Sequence, residues 1–191
     1  MATTTAQVSG TTAPDNWVLA AGASKVVAVN QPDDDATSYV VSTTTTGTVQ
    51  WFTCSPALAG GDVVTEVIVR GRVKRGGSYD CNFTLGYQFA LNGGGTQSGS
   101  SAAGSLEAIA GYNNFAYTHS GLSAAFGSGL VLWIRNDQAR EIDLTTLYAD
   151  ITYTPVEGQP AAIRGRFVPG MGRAHGQQLS LIHISEPTRP Y

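Results

Sequence analysis

The chain has 191 residues, of which 13% are charged, and its formal net charge is −3. Soluble domains usually carry about 25% charged residues, so this low charge, together with 23 glycines, favours a β-rich fold. Lys25 and Lys74 are the two lysines, so no basic stripe is available for phosphates, and no apolar run approaches the roughly 18 residues of a membrane span. These features argue against nucleic-acid and membrane partners.

The first part of the chain is predicted to be a flexible arm. Residues 1–13 are mainly Thr, Ala, Ser and Gly, which offer little apolar surface to bury. This stretch has neither a basic start nor an apolar core, so it does not resemble a secretory signal peptide. We therefore expect synthesis in the cytoplasm without an export signal.

Strand patterns begin after this arm. Two short apolar runs flank Gly22, and strands are predicted over Tyr39–Thr46 and Thr48–Cys54 with a turn at Gly47. Cys54 and Cys81 lie in apolar strand patterns, and their spacing fits neither a metal site nor a disulfide framework. Two buried free thiols are expected, and a single bridge is the alternative.

An acidic cluster precedes these strands at Asp33, Asp34 and Asp35. Clustered loop carboxylates can hold Ca²⁺, which takes about six to eight oxygen ligands. The alternation of an EF-hand is missing, so the competing interpretation is an exposed turn whose Asp side chains accept hydrogen bonds from backbone amides. No other cofactor is predicted.

The clearest pattern predicts a β-hairpin centred on Gly76 and Gly77. Before the turn, the sequence alternates with the period of two that a β-strand requires. The residues expected on the inward face are Val63, Thr65, Val67, Val69, Gly71 and Val73. After it, the expected inward residues are Tyr79, Cys81, Phe83, Leu85 and Tyr87. Glycine accepts the positive φ angles of a tight turn, which suits this hairpin.

The last part of the domain is predicted to combine one helical turn and two strands. Leu106, Ile109 and Ala110 fit a turn of helix, whereas "LVLWIRND" and "TTLYADITYTP" predict strands, the second ended by Pro155. About eight short strands without a long amphipathic helix predict an all-β fold. We expect an antiparallel β-sandwich or jelly-roll over residues 14–155, with flexible N- and C-terminal arms.

No catalytic motif is evident in the sequence. His119 and His175 are not near a nucleophile elbow. No context distinguishes a glycosidase pair among the candidate carboxylates Glu66, Glu107, Glu141 and Asp143. A non-enzymatic protein is therefore expected. Trp17, Trp51 and Trp133, together with the eight tyrosines, could include a sugar-stacking surface, although aromatic residues at strand periodicity are more often part of the core.

The chain ends in two segments of different character. Residues 156–178 carry Arg164, Arg166 and Arg173 and predict a lightly basic linker or docking arm. Residues 179–191 resemble the in-frame translation of a sequencing-library adapter, so we treat them as an artefact. The native chain is expected to continue past Gln178.

Four segments carry a resemblance to a known family: "PDDDATSYV", "WFT", "VTEVIVRGRVKRGG" and "LYADITYTP". Together they resemble small β-sandwich structural proteins of tailed bacteriophages, known mainly from viral metagenomes, over about Pro14 to Pro155. The resemblance implies a virion protein, such as a capsid decoration, head-fibre or tail-associated subunit. Residues Asn113–Gly129 depart from it, because "NNFAYTHSGLSAAFGSG" replaces the Trp-containing segment usual in that family.

Two functions from different classes are compatible with these patterns. The first is a homo-oligomeric virion component that associates with copies of itself and docks on another virion protein. The alternative is a carbohydrate-binding β-sandwich module with a surface glycan as its partner. Two aromatic rings lying coplanar and exposed on one face would favour the alternative. Trp51 and Tyr148 are the two rings whose positions test this.

Overall fold

The computed structural model describes residues 1–30 and 39–156. These residues form ten β-strands and one short helix, in an all-β arrangement that confirms the predicted fold class. The strands are β1 (Ala2–Asp15), β2 (Val18–Ala21), β3 (Tyr39–Val41), β4 (Val49–Cys54), β5 (Val63–Arg75), β6 (Cys81–Leu91), β7 (Thr96–Ser100), β8 (Leu106–Ala108), β9 (Asn113–Asn136) and β10 (Ile142–Thr154). The helix α1 (Lys25–Val29) is N-capped by the Ser24 side chain, which accepts a hydrogen bond from the Val27 amide at 3.2 Å.

Two antiparallel sheets enclose the core, and two long strands take part in both. In sheet A, β10 lies between β5 on one side and β1 and β3 on the other; β2 extends β3, and the first part of β9 pairs with β5. In sheet B, the order is the second part of β1, β4, the second part of β9 and β6, with β7 and β8 beside β6. The bends of β1 and β9 therefore join the sheets at two corners of the sandwich.

The prediction of a flexible arm over residues 1–13 is wrong. β1 covers Ala2–Asp15, pairing first with β10 and then with β4. Thr4, Ala6 and Val8 alternate inward and are buried. These small side chains cannot build a core alone, but a strand backbone that completes two ladders of hydrogen bonds needs few large ones. The sandwich accordingly begins at Ala2, whereas residues 157–191, with the predicted arm and adapter segment, lie outside the described residues.

The predicted hairpin between β5 and β6 is also wrong. β5 pairs with β10 and β9 in sheet A, whereas β6 belongs to sheet B. The connection crosses between the sheets, where the Gly76 amide donates to the Glu141 carbonyl at 2.9 Å and Arg75 bonds Asp80 at 2.8 Å. Tyr79, expected inside, is 70% exposed in this crossing. A period of two fixes which side chains point inward but not which strand is the neighbour.

Most of the predicted inward residues of β5 and β6 are confirmed. Val67, Val69, Gly71 and Val73 of β5 are buried, as are Cys81, Phe83, Leu85 and Tyr87 of β6. The exceptions lie at the start of β5, where Val64 is buried instead of Val63 and Thr65. A shift in register between Val64 and Glu66 explains this, because one extra residue reverses the facing of those before it.

The expected helical turn at Leu106, Ile109 and Ala110 is replaced by β8 and the approach to β9. β9 runs for 24 residues and corresponds in its second part to the predicted "LVLWIRND" strand. Gly121 has a φ of 73° and lies near the irregularity in the β5 to β9 pairing. No helix among the described residues is long and apolar enough to cross a membrane.

The core between the sheets is aliphatic and aromatic, and it contains both cysteines as free thiols, as expected. Burial raises the pKa of the Cys54 thiol to about 12 and that of Cys81 to about 11. Both thiols are thus held neutral and unreactive at physiological pH. Trp17 is 2% exposed, and its indole donates to the Thr48 carbonyl at 3.3 Å, so this tryptophan belongs to the core.

Candidate functional site

The structure does not bring the two predicted ligand residues together. Trp51 lies on β4 between the buried Gln50 and Phe52, so its ring is on the outer face of sheet B. Tyr148 lies on β10 between the buried Leu147 and Ala149, on the outer face of sheet A. The two rings are therefore on opposite sides of the sandwich. The acidic cluster of Asp33, Asp34 and Asp35 lies outside the described residues.

The partner of Trp51 is Trp133 on β9. The two residues stand directly opposite each other in the ladder between β4 and β9. Their ring centroids are 6.5 Å apart and their planes differ by 20°. Both side chains are partly buried and partly exposed to solvent. Sheet B thus presents two nearly parallel indole rings side by side on its outer face.

Gly86 on β6 makes room for this arrangement. It is the ladder partner of Trp133 on the other side of β9. A Cβ atom added to Gly86 would lie 2.2 Å from Cζ2 and 2.3 Å from Cε2 of Trp133, so the indole leans over the bare glycine backbone. We call Trp51, Trp133 and Gly86 the aromatic platform.

A polar cluster borders the platform on one side. Arg135, two residues after Trp133 on the same face, bonds Asp137 through Nε at 2.5 Å and Thr84 Oγ1 through Nη2 at 3.3 Å. The Asp137 carboxylate also accepts from the Thr84 hydroxyl and, at 2.9 Å, from the Gly104 amide. These bonds fix the guanidinium beside the rings and neutralise its charge.

The opposite side of the platform is uncharged. Val131 points outward from β9, as Trp133 does. It lies opposite Thr53 on β4 and opposite Gln88 on β6. All three side chains are partly exposed. An amide and a hydroxyl group therefore lie in the row next to the indoles, where they can exchange hydrogen bonds with a ligand lying on the platform.

The outer face of sheet A has a different character. Tyr148 stands opposite Gln7 on β1 and Arg70 on β5, rather than opposite another aromatic ring. Arg70 Nε bonds Asp150 Oδ2 at 2.7 Å, and Thr5 donates to the other carboxylate oxygen at 2.9 Å. The hydrogen bond to Asp150 raises the pKa of the Arg70 guanidinium. A shallow groove of 370 Å³ borders these residues, lined by Arg70, Gly71, Arg72, Asn114, Phe115, Ala116, Thr146 and Tyr148.

His119 lies against a buried tyrosine of the core. His119 Nδ1 lies 2.8 Å from the hydroxyl of Tyr87, whose pKa burial raises to about 12. Within residues 1–30 and 39–156, no three His, Cys, Asp or Glu side chains come together as a group that could hold a metal ion. Glu66, considered above for hydrolysis, faces Thr152 and Ser120 in the ladders of sheet A.

Sequence reasoning included Trp133 among the possible sugar-stacking rings but chose Tyr148 to go with Trp51, and it did not single out Gly86. One signal was present, because the alternation of Leu130, Leu132 and Ile134 predicts that Trp133 points outward from β9. The alternation of β4 likewise predicts an outward Trp51. No local pattern indicates that β4 lies beside β9, so the pairing of the indoles was not predictable.

Comparison with known proteins gives similarities at the level of solved structures only. No protein-family profile matches the chain, and no curated protein matches it by sequence. The xylan-binding CBM22-1 domain of Paenibacillus barcinonensis Xyn10C is 14% identical, over 76% of this chain and 85% of that chain, with a TM-score of 0.46. The CBM35 of Cellvibrio japonicus Abf62 is 11% identical, over 80% and 98%, with a TM-score of 0.39.

A phage protein is also among the similar structures. The enzymatically active domain of tailspike protein 4 from bacteriophage CBA120 is 12% identical, over 78% of this chain and 19% of that chain, with a TM-score of 0.40. With identities this low and TM-scores below 0.5, none of these similarities carries an argument about function. The functional argument rests on the chain's own residues.

Proposed function

We propose that the chain is a carbohydrate-binding β-sandwich whose ligand lies on the aromatic platform of sheet B. The observation that carries this proposal is the pairing of Trp51 with Trp133 on one outer face, with centroids 6.5 Å apart and planes within 20°. The C–H faces of a pyranose are apolar and flat enough to pack on an aromatic ring, while its hydroxyls require hydrogen bonds at the edge. The platform and its polar borders supply both.

The platform is preorganised for such a ligand. Both indoles project from central strands of sheet B, and Gly86 provides the space over which Trp133 leans. Binding groups on strands need little ordering when the ligand arrives, so less binding free energy is lost to conformational entropy. This supports a function for the exposed rings beyond packing.

The surroundings of the platform indicate the ligand class. Two rings offer a wider surface than one, which favours an oligosaccharide or polysaccharide over a single sugar. The guanidinium of Arg135 is already paired with Asp137, and the opposite border, at Thr53, Val131 and Gln88, is uncharged. An uncharged glycan therefore fits better than an acidic one, because no unpaired charge on the platform calls for a counter-charge.

Affinity electrophoresis in soluble xylan, mixed-linkage β-glucan and glucomannan tests the proposal. Trp51→Ala and Trp133→Ala should each weaken binding at least about tenfold, since central aromatic residues dominate such interfaces. Tyr148→Ala removes a partly exposed ring from the other face and is the matched control, expected to bind as the unsubstituted chain does. The proposal fails if no neutral polysaccharide retards the chain, or if only Tyr148→Ala loses binding.

A second candidate is a non-enzymatic virion subunit that associates with copies of itself and docks on another virion protein. The observation in its favour is the low charge of one sheet edge, formed by residues 113–120 of β9, since charged residues are depleted at interface cores. Localisation in a virion belongs to this candidate. Mass spectrometry of purified phage particles would test it. Absence of the chain from particles that contain the proteins encoded beside its gene would contradict it.

A further inference from the structure

The first part of β9 forms an edge of sheet A. Residues Asn113–Ser120, which we call the β9 edge, pair with β5 from Val73 to Glu66 without a shift in register. Among the described residues, no strand pairs with the other side of this segment. Its backbone amides and carbonyls on that side can therefore receive another strand.

The usual protections of an edge strand are missing here. Natural edges are blunted by charged side chains, proline, bulges or short length. The β9 edge contains no Lys, Arg, Asp, Glu or Pro over eight residues in regular register. The other edges are shorter or interrupted: β7 has five residues, β2 has four, the first part of β1 pairs with β10 over the six residues Ala2–Gln7, and the pairing of β1 with β4 shifts at Val8/Gly10 and again at Thr12/Asp15.

Side chains on the inner face hold the β9 edge in place. Phe115 packs edge-on against Phe83 with centroids 5.0 Å apart. His119 bonds the buried Tyr87 at 2.8 Å, and a Cβ added at Gly99 would lie 2.9 Å from the Tyr117 hydroxyl. The strand is thus fixed in an extended form before any partner binds, which lowers the entropy lost on pairing.

The composition of the edge suits a second copy of itself. In antiparallel pairing about a two-fold axis, each residue meets one of the same parity, so outward residues face outward residues. The outward residues Asn114, Ala116, Thr118 and Ser120 are exposed and uncharged, and thus no like charges meet across the axis. A charged partner strand would find no counter-charges along this edge.

We propose that the chain forms a two-fold dimer in which the β9 edge pairs antiparallel with the β9 edge of a second copy. Sheet A then continues from one protomer into the other. The inference does not depend on glycan binding, because the aromatic platform lies on the outer face of sheet B. It gives a physical route to the self-association expected of a virion subunit.

Light scattering after size exclusion, over a range of concentrations, tests the dimer with the full chain. The expected mass is that of two chains of 19.9 kDa each. Ala116→Lys/Thr118→Lys places like charges on both copies beside the axis and should yield monomers. Thr44→Lys/Thr46→Lys adds the same charge at exposed positions between β3 and β4 and should remain dimeric. Far-UV circular dichroism verifies that both variants keep the strand content.

Hydrogen exchange shows whether a second copy or another segment of the same chain pairs with the β9 edge. In the dimer, the alternate amides of Asn113–Ser120 that point away from β5 should be protected, and their protection should fall on dilution and in Ala116→Lys/Thr118→Lys. A monomer with exchanging edge amides overturns the proposal. A monomer whose edge amides stay protected at every dilution also overturns the dimer. In that case residues 157–191 of the same chain would be the segment that pairs with the β9 edge. If Ala116→Lys/Thr118→Lys remains dimeric, the interface lies elsewhere, and this result also contradicts the proposal.

Discussion

The outer faces of the two sheets come from the same strand alternation but present different chemistry. On sheet B, Trp51 lies beside Trp133, which leans over Gly86, and both tryptophans are partly exposed. On sheet A, the corresponding central positions hold Arg70 and Asp150, which bond each other at 2.7 Å. One face pairs two aromatic rings at the solvent boundary, whereas the other holds the single ring of Tyr148 next to an ion pair.

This difference supports sheet B as the proposed binding face. Exposed aromatic surface gains free energy when a ligand or partner covers it, while an ion pair already bonded to its neighbours gains little from a new contact. A face that keeps two indoles at a solvent boundary therefore favours recognition.

The largest stability effect is expected from Gly86→Ala, which fills the space over which the Trp133 ring leans. The new Cβ would lie 2.2 Å from Trp133 and 2.8 Å from the Gly99 carbonyl oxygen, so the ring must move. We expect a loss of about 1–3 kcal/mol in the free energy of unfolding, measured with urea, and weaker glycan binding. Gly77→Ala, with nothing within 4 Å of its new Cβ, is the control and should change stability by less than about 0.5 kcal/mol. Equal losses in both variants would show that Trp133 does not depend on Gly86.

A smaller effect is expected on the face of sheet A from Asp150→Ala. The substitution removes the partner of Arg70 and an acceptor of the Thr5 hydroxyl. The side chain of Arg70 is 40% exposed, so water screens the pair, and the expected loss is about 0.2–1 kcal/mol in the free energy of unfolding. Glycan binding should be unchanged. A loss of binding equal to that of Trp133→Ala would contradict the assignment of the ligand to sheet B.

The smallest effect concerns the pH dependence of the same face. Burial raises the pKa of the Asp143 carboxyl, and Lys74, with Nζ 3.3 Å from Oδ2, opposes this. Because the folded chain binds this proton more tightly than the unfolded chain, the stabilisation is complete below the ordinary aspartate pKa of about 3.9. It is lost as pH rises through the raised value.

Asp143→Asn keeps an uncharged side chain at every pH. Its free energy of unfolding relative to the unsubstituted chain should therefore increase as pH rises from about 3 to about 7. Urea titrations at several pH values measure this difference. A relative stability that instead falls with pH would mean that the ion pair with Lys74 outweighs the burial of the carboxylate.

Local pattern was sufficient for the class of fold and for much of the core. The alternation of Val67, Val69 and Val73 predicted the buried face of β5, and that of Phe83 and Leu85 predicted the buried face of β6. It failed at Val63 and Thr65, where a register shift reverses the strand's faces, and at Tyr79, which lies in a crossing between sheets. The N-terminal strand β1 was missed because its small residues gain their stability from pairing rather than from their own apolar surface.

The sequence by itself determined an all-β, charge-poor chain and which strand positions point inward, because period-two alternation is a local property of each strand. Tertiary structure alone decided which strands are neighbours, because hydrogen-bonded ladders join residues far apart in the chain. That decision placed Trp133 beside Trp51 and over Gly86, separated Trp51 from Tyr148, and left the β9 edge open among the described strands. The candidate binding surface is thus a consequence of strand order, which no single stretch of sequence contains.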